Sequence, residues 1–445
     1  MHSEMAKVLQ PLAGRPLLHY VLDLARSLQP EQIHCVVGHQ AERVREETSG
    51  QDICWVLQSE QKGTGHAVAQ AMPEIPDEAG VLVLYGDVPL LRQATLLPLL
   101  DPALEQKLAL LTAVVEQPDG LGRIVRSDDG TIKAIIEHRD ANADIRKIRE
   151  INTGVLSAPA DLFRSWLARL APENNQGELY LTDCIAMAVQ DEIPVHSVVV
   201  EDNDEILGIN SRVELAQAEC VYQHRQAQQL MTAGLQLADP ARFDLRGQLQ
   251  HGRDCFIDIN VILEGQVILG DHIHIGANCV IRNSTLADNV TVQPMTIIVE
   301  AEIHTGAEVG PFARIRPGSV LEADSRVGNF VELKKTRLGK GSKASHLSYL
   351  GDTSIGQRVN IGAGVITCNY DGLNKYRTEI GDGAFIGSDC QLVAPVKVGA
   401  RAVIGAGTTL TRDAPADALT LSRAQQHTRK DWLHPAERQK KPREN

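Results

Sequence analysis

The stretch Ile380–Leu410, IGDGAFIGSDCQLVAPVKVGARAVIGAGTTL, carries an aliphatic residue at every sixth position: Ile380, Ile386, Leu392, Val398, Ile404 and Leu410. Glycine follows four of them, at Gly381, Gly387, Gly399 and Gly405. The same beat runs through Ile257, Leu263, Leu269, Ile275 and Ile281, and again through Ile303, Val309, Ile315, Leu321, Val327 and Leu333. Neither a helix nor a plain alternating strand has this period. Short strands separated by tight turns and stacked into coils do, with the aliphatic residues filling a narrow axial core. Glycine beside them is expected at corners, where the backbone turns sharply and a Cβ would obstruct it. A β-sandwich with glycine-rich turns is the alternative, but its strands would recur irregularly, at about 8–12 residues.

The period resembles that of the hexapeptide-repeat proteins, which fold as a left-handed parallel β-helix of triangular cross-section and associate as trimers. The hand is implied by the likeness alone, since the ordinary crossover rule predicts the opposite one.

A chain of 445 residues is too long for one ordinary core, so two or three domains are expected. Aromatic residues make up only 4%, which suits a repeat packed on Ile, Val and Leu. The net charge of −13 and pI near 5.6 argue against a nucleic-acid binder, which needs a broad basic face, but leave room for phosphate-bearing small molecules. Eight cysteines are scattered without a C-x-x-C pair, as expected of free thiols in a reducing cytoplasm. The sequence shows no apolar run of membrane-spanning length, and its start, MHSEMAKVLQ, has no signal-peptide core; no membrane association is expected.

From Met1 to about Asn210 apolar strands alternate with helical stretches. Ile33–His39 and Val81–Asp87 read as buried strands, and Leu17–Leu28 and Gly65–Ala71 as helices. Such alternation predicts a doubly wound, Rossmann-like α/β domain with a largely parallel sheet, whose ligands sit at the carboxyl ends of strands. Asp87, ending the run Tyr85-Gly86-Asp87-Val88-Pro89-Leu90, is a strand-end carboxylate able to hold Mg2+ beside a nucleotide phosphate, although such an Asp is commonly a turn residue. Gln58 to His66 contains a glycine turn that opens a helix, where unpaired N–H groups admit a base or a phosphate.

Gln58, Gly63, Thr64, the Tyr85–Leu90 run, Gly120-Leu121-Gly122-Arg123, Glu137-His138 and Glu150 to Gly154 occur in the order seen in sugar-nucleotide pyrophosphorylases. With the hexapeptide solenoid following, the chain resembles the bacterial bifunctional N-acetylglucosamine-1-phosphate uridyltransferase/glucosamine-1-phosphate acetyltransferases from Met1 to about Arg423. The resemblance implies that residues 1–210 form the uridyltransferase domain, 211–234 a helical arm, 235–423 a left-handed β-helix acetyltransferase domain and 424–445 a polar tail. It makes Gln58, Gly63 and Thr64 uracil contacts, and Tyr85, Gly86 and Asp87 nucleotide and metal contacts. Gly122, Glu137 and Asn152 would hold N-acetylglucosamine, Asn210 would join Asp87 on Mg2+, and Lys7 would neutralise phosphate charge. One departure stands out: the family's first strand, its glycine-rich phosphate loop and that loop's arginine are missing ahead of Met1, and Ala6 stands where the family commonly has proline. The domain is therefore expected to be incomplete, through a start placed too late or a genuine loss, with little uridyltransferase activity.

In the arm, Ser211 at an N-cap position, Glu214 three residues on and Gly234 near the end are helix start and stop signals. In the solenoid, Arg314, Arg316, Lys334, Lys335, Arg337, Lys340 and Lys343 make a cationic segment suited to a phosphate, and the beat breaks between Ile361 and Ile380, an excursion of the kind that carries function. The resemblance gives His346 the role of general base toward glucosamine-1-phosphate, with Glu332 orienting its ring. Arg316, Lys334, Tyr349 and Asn360 would bind the sugar phosphate; Ala363, Asn369, Tyr370, Ser388, Ala406 and Arg423 would contact acetyl-CoA, with neighbouring subunits of a homotrimer completing each site. The pair His272 and His274 lacks a third metal ligand and is expected to point outward.

The implied function is synthesis of UDP-N-acetylglucosamine, by acetyl transfer from acetyl-CoA and then uridylyl transfer from UTP. Three rivals remain at the level of sequence: an acetyltransferase with an inactive N-terminal remnant, a nucleotidyltransferase with a regulatory solenoid, and a non-enzymatic trimerisation scaffold.

Overall fold

In a computed structural model of the chain, the described residues are 1–438, apart from 2, 49, 51, 102–105 and 173–176; the last seven residues of the polar tail lie outside them. The chain divides into two compact units, Met1–Gln226 and Ala227–Asn445.

The first unit is α/β. Ile33–Val37 and Ile53–Leu57 pair in parallel, as a helical crossover (Ala41–Glu47) requires. A second sheet runs in the order Val195–Val199, Leu108–Val114, Glu150–Pro159, Arg123–Arg126, Ile132–Ile136, with Gly80–Val83 also on Glu150–Pro159. The expectation of a largely parallel sheet is corrected here: the long strand Glu150–Pro159 is antiparallel to Gly80–Val83, Leu108–Val114 and Arg123. Among the described residues, only Leu108–Val114 with Val195–Val199 is parallel in this sheet. Helices Ala160–Leu167 and Asp183–Gln190 cover one face, where Phe163 and Trp166 are fully buried edge to face. Their apolar area, with Leu108, Leu110, Leu156 and Ile185, makes the core that holds the strand ends still.

The helix Arg212–Thr232 starts on a capping box: the Glu214 N–H donates to Ser211 Oγ (3.2 Å), and Glu214 Oε2 accepts from the Ser211 N–H (2.6 Å). Gly234 follows its end at φ +105°.

The second unit is a parallel β-helix. Its strands are two to nine residues long and stack in register at one coil, as in Val309 on Val327 (18 residues apart) and Asn329 on His346 (17 apart). Three hexapeptides thus make one coil, and the repeat aliphatics, Ile315, Leu333, Ile386 and Leu392 among them, line one continuous buried core. Two readings change. The glycines after the repeat residues leave no room for a Cβ, as expected, but what obstructs it is the neighbouring coil and not the turn itself. A Cβ on Gly387 would stand 2.5 Å from Ala406 N, and on Gly399 2.3 Å from Ala416 N, so glycine is there because the next coil passes too close. The left-handed corners are held instead by residues such as Asp389 (φ +57°) and Arg401 (φ +55°). The beat also does not stop at Ile361: Thr367 occupies the next core position, buried, with Oγ1 accepting from the Gly351 N–H (2.7 Å). The true excursion is the segment between the strands Ile366–Cys368 and Thr378–Ile380.

Candidate active sites

Two clusters of chemistry-bearing side chains form, one in each unit. In the first unit the strand Gly80–Val83 ends early, so Tyr85, Gly86 and Asp87 lie in the turn beyond it rather than on the strand. Asp87 Oδ2 accepts from Lys7 Nζ (2.5 Å), and Lys7 Nζ also donates to Asn210 Oδ1 (2.9 Å). The backbone ties these together, since the Ile209 N–H donates to the Asp87 carbonyl (3.0 Å).

Tyr85 is the hub. Its ring fills the space a side chain at Gly154 (φ +83°) would need, 2.8 Å from the ideal Cβ. Burial pushes its phenol up to about 12, with Asp87 and Glu137 adding to the shift and the nearby Thr64 side chain opposing it, so it stays protonated at neutral pH. Glu137 faces Gly122, whose added Cβ would meet Glu137 Oε1 at 3.1 Å, and the Asn152 N–H donates to the Gly122 carbonyl (2.9 Å). Burial first, then repulsion from Asp140 and Asp183, holds the Glu137 carboxyl above its usual range. Gln58 Nε2 donates to the Gly63 carbonyl (3.2 Å), which opens the helix Thr64–Ala71. Contacts thus join Lys7, Asp87 and Asn210, with Tyr85 and Gly86 adjoining in the chain; Gly122, Glu137 and Asn152 reach Tyr85 through Gly154; and Gln58, Gly63 and Thr64 form a group of their own. A cradle of oxygens from Asp87 and Asn210, both already bound to a cationic ammonium, is the donor chemistry a hard divalent cation takes.

On the β-helix, His346 ends the strand Lys343–His346 and is exposed; its Nδ1 lies 2.7 Å from Asn329 Oδ1 on the coil below. Glu332 does not orient this ring. It accepts from Arg316 Nη1 (2.8 Å), and the orienting residue is Asn329, which the sequence reading missed although it lies one coil before His346. A second knot joins Lys334, Asp352 and Asn369: Lys334 Nζ donates to Asp352 Oδ2 (3.1 Å), which also accepts from Asn369 Nδ2 (2.5 Å). Lys375, from the excursion, reaches the same knot, where the neighbouring Lys334 ammonium lowers its pKa. Asp352, one regular coil after Lys334, and Lys375, on the excursion that follows no period, also went unnoticed in the sequence. Tyr349 faces Glu332 on the adjacent coil, while Asn360 lies on a different strand face, paired with Lys343 and Phe385.

Ala363, Ser388, Ala406 and Arg423 climb one corner. The Asp389 N–H donates to Ala363 O (2.7 Å), the Gly407 N–H to Ser388 O (2.8 Å) and Arg423 Nε to Ala406 O (3.0 Å). Tyr370 is exposed on the excursion, its hydroxyl donating to Gly372 O (2.5 Å). His272 lies 3.6 Å from Asp254 and His274 stacks on Phe256; among the described residues no group of three or more His, Cys, Asp or Glu is placed to hold a metal. No described helix is long and apolar enough to cross a membrane.

An α/β unit with an Asp–Asn oxygen cradle, followed by a β-helix bearing an oriented histidine, defines a nucleotidyltransferase joined to a hexapeptide acyltransferase. The MobA-like NTP transferase domain family matches residues 1–174, and the bacterial transferase hexapeptide (six repeats) family matches residues 250–283 and 377–412. The chain is 49% identical to Bifunctional protein GlmU of Marinobacter nauticus over 98% of this chain and 96% of that protein. It is 51% identical to that of Cupriavidus pinatubonensis (99% and 97% covered) and 52% identical to that of Stutzerimonas stutzeri (98% and 97%). The chain belongs to the GlmU family of bifunctional proteins. It is an acetyltransferase and uridyltransferase of UDP-N-acetylglucosamine synthesis, and the family uses acetyl-CoA and a divalent metal.

The matched spans give no support to the expectation of a missing strand and phosphate loop, nor to the reading of this chain as an acetyltransferase alone.

Proposed function

We propose that the two activities divide between the two clusters, residues 1–210 performing uridylyl transfer and 235–423 acetyl transfer, with 211–234 as the connecting arm and 424–445 as a polar tail. The observation that carries this is the separate oriented chemistry of each cluster: Lys7 held between Asp87 and Asn210 in one, His346 held by Asn329 in the other.

For acetyl transfer, the Nδ1–H of His346 donates to Asn329 Oδ1, which leaves Nε2 with a free lone pair. Nε2 takes a proton from the glucosamine-1-phosphate amine as its nitrogen attacks the acetyl-CoA carbonyl; the C–S bond breaks, the imidazolium returns that proton to the departing sulfur, and coenzyme A leaves as a thiol. Lys334, Arg316 and Tyr349, with Asn360, bind the sugar phosphate. Ala363, Asn369, Tyr370, Ser388, Ala406 and Arg423 bind acetyl-CoA, with a homotrimer completing each site.

For uridylyl transfer, Gln58, Gly63 and Thr64 hold the uracil, Gly122, Glu137 and Asn152 the N-acetylglucosamine, and Tyr85 to Asp87 the nucleotide phosphates. An oxygen of the sugar phosphate attacks the α-phosphorus of UTP in line and pyrophosphate departs. Asp87 and Asn210 would hold Mg2+, which supplies charge neutralisation on the phosphates; Lys7 supplies the protein's own positive charge beside it. We place the enzyme in the cytoplasm, where its eight free cysteines stay reduced.

The test is a crossed one. Asp87→Asn abolishes pyrophosphate release from UTP, Mg2+ and N-acetylglucosamine-1-phosphate while sparing coenzyme A release. His346→Ala cuts coenzyme A release by roughly 100-fold or more and spares the other activity and the trimer. Loss of both activities in either variant, or of neither, rejects the assignment.

A further inference from the structure

Gln58 does not stand alone in its turn. Its Nε2 lies 3.2 Å from the Gly63 carbonyl and 3.0 Å from Nδ1 of His66, which sits on the first turn of the helix Thr64–Ala71. A backbone carbonyl can only accept, so the Gln58 amide must present its NH2 group to this pair. His66 Nδ1 is then an acceptor without hydrogen, and the proton of the neutral ring is on Nε2. That atom lies 3.3 Å from Nε2 of Gln70, so an Nε2–H is met here only with the Gln70 oxygen and nitrogen exchanged, the assignment that the Gln58 contacts require. With both amide hydrogens engaged, the Gln58 oxygen is the end left to face the ligand.

We infer that His66 is the positioning residue that fixes this amide, and through it selects a pyrimidine bearing an N–H at its pairing edge over one bearing a lone pair there. Uracil has that N–H at N3; cytosine has a bare nitrogen. With the amide locked, a cytosine ring would set two acceptors against each other, a mismatch that a built polar site rejects strongly. Without His66 the amide keeps only the Gly63 contact and turns more freely, and its NH2 can face cytosine. The inference rests on the reading of Gln58 as the base contact, and deepens it.

Dissociation constants of UTP and CTP, measured by calorimetry on the full-length chain with Mg2+, test it. His66→Leu is expected to lower the CTP/UTP ratio of dissociation constants at least 10-fold, mostly by weakening UTP. His66→Asn, which can offer an oxygen near the Nδ1 position, is expected to restore most of the ratio. An unchanged melting transition and far-ultraviolet circular dichroism spectrum of both variants report an intact fold. Gln58→Ala separates the two layers. If it leaves the ratio untouched, or if the parent chain does not discriminate, the base-contact reading fails. If it collapses the ratio while His66→Leu does not, or if His66→Asn fails to rescue, the role of His66 is overturned.

Discussion

Asn329 and His346 occupy the same position on successive coils, and Asn329 Oδ1 lies 2.7 Å from His346 Nδ1. Stacking of identical strand positions thus does for this histidine what a buried carboxylate does in other general bases: it fixes the tautomer and aims the other nitrogen outward. An amide orients without adding negative charge. Asn329→Ala is expected to lower kcat for acetyl transfer about 10-fold with little change in KM, less than the roughly 100-fold loss for His346→Ala. Coenzyme A release at saturating substrate measures both, and an unchanged kcat would remove Asn329 from the mechanism.

The knot around Asp352 makes a pH prediction. Burial alone would raise its pKa, but the Lys334 ammonium and the Asn369 amide outweigh burial and hold the carboxyl below its ordinary value. A depressed folded pKa means stability that is present above the unfolded value, near 4, and is lost as pH falls through the folded one. Asp352→Asn should therefore melt roughly 2 °C or more below the parent at pH 7, and the gap should close below about pH 4. Scanning calorimetry across pH 3–7 checks this. A gap that persists at the acid end would mean that shape, not charge, holds the knot.

How much of this was legible in the sequence differs by feature. Ile380 to Leu410 reveals the coil because a repeating core position must be aliphatic, and the structure buries those residues as the period demands. Thr367 hid a turn of the same coil, since a hydroxyl whose hydrogen bonds are met inside the chain can replace an aliphatic side chain. That a Cβ would obstruct at the repeat glycines could be read, but not that the obstruction is the next coil, because that approach is a long-range fact. Asn329 was within reach, one coil before His346, whereas Lys375 comes from an excursion that no period describes. In the first unit, strand segments were readable but not their direction: a pattern of apolar runs does not say that Glu150–Pro159 enters antiparallel.

Gly154 offers a test of how far the Tyr85 hub reaches. At φ +83° an L-residue is strained by about 1–2 kcal/mol, and an added methyl would sit 2.8 Å from the Tyr85 ring. Tyr85 must then move out of its place between Gly154 and Asp87. Gly154→Ala is expected to lower uridylyl transfer at least 10-fold while acetyl transfer remains at the parent rate. A lowered melting transition of the first unit, read by calorimetry, would point to unfolding instead.

Glu137 shows the opposite sign to Asp352. Its carboxyl is pushed up by burial, then by Asp140 and Asp183, so the folded chain binds its proton more tightly than the unfolded chain does. Stability is accordingly greatest below the unfolded value, near 4.3, and declines as pH rises through the folded one. Ionising Glu137 in the fold therefore costs stability, and a site that keeps this residue has a use for it. Glu137→Gln should raise the melting temperature at pH 7 and flatten its dependence on pH between 4 and 7. The same change should raise KM for N-acetylglucosamine-1-phosphate about 10- to 100-fold, since a hydrogen bond from a sugar hydroxyl to a charged acceptor contributes about 1.5–3 kcal/mol. A variant more stable and equally tight-binding would show that Glu137 does not touch the sugar; one less stable would show that its charge is matched by a partner that offsets the repulsion.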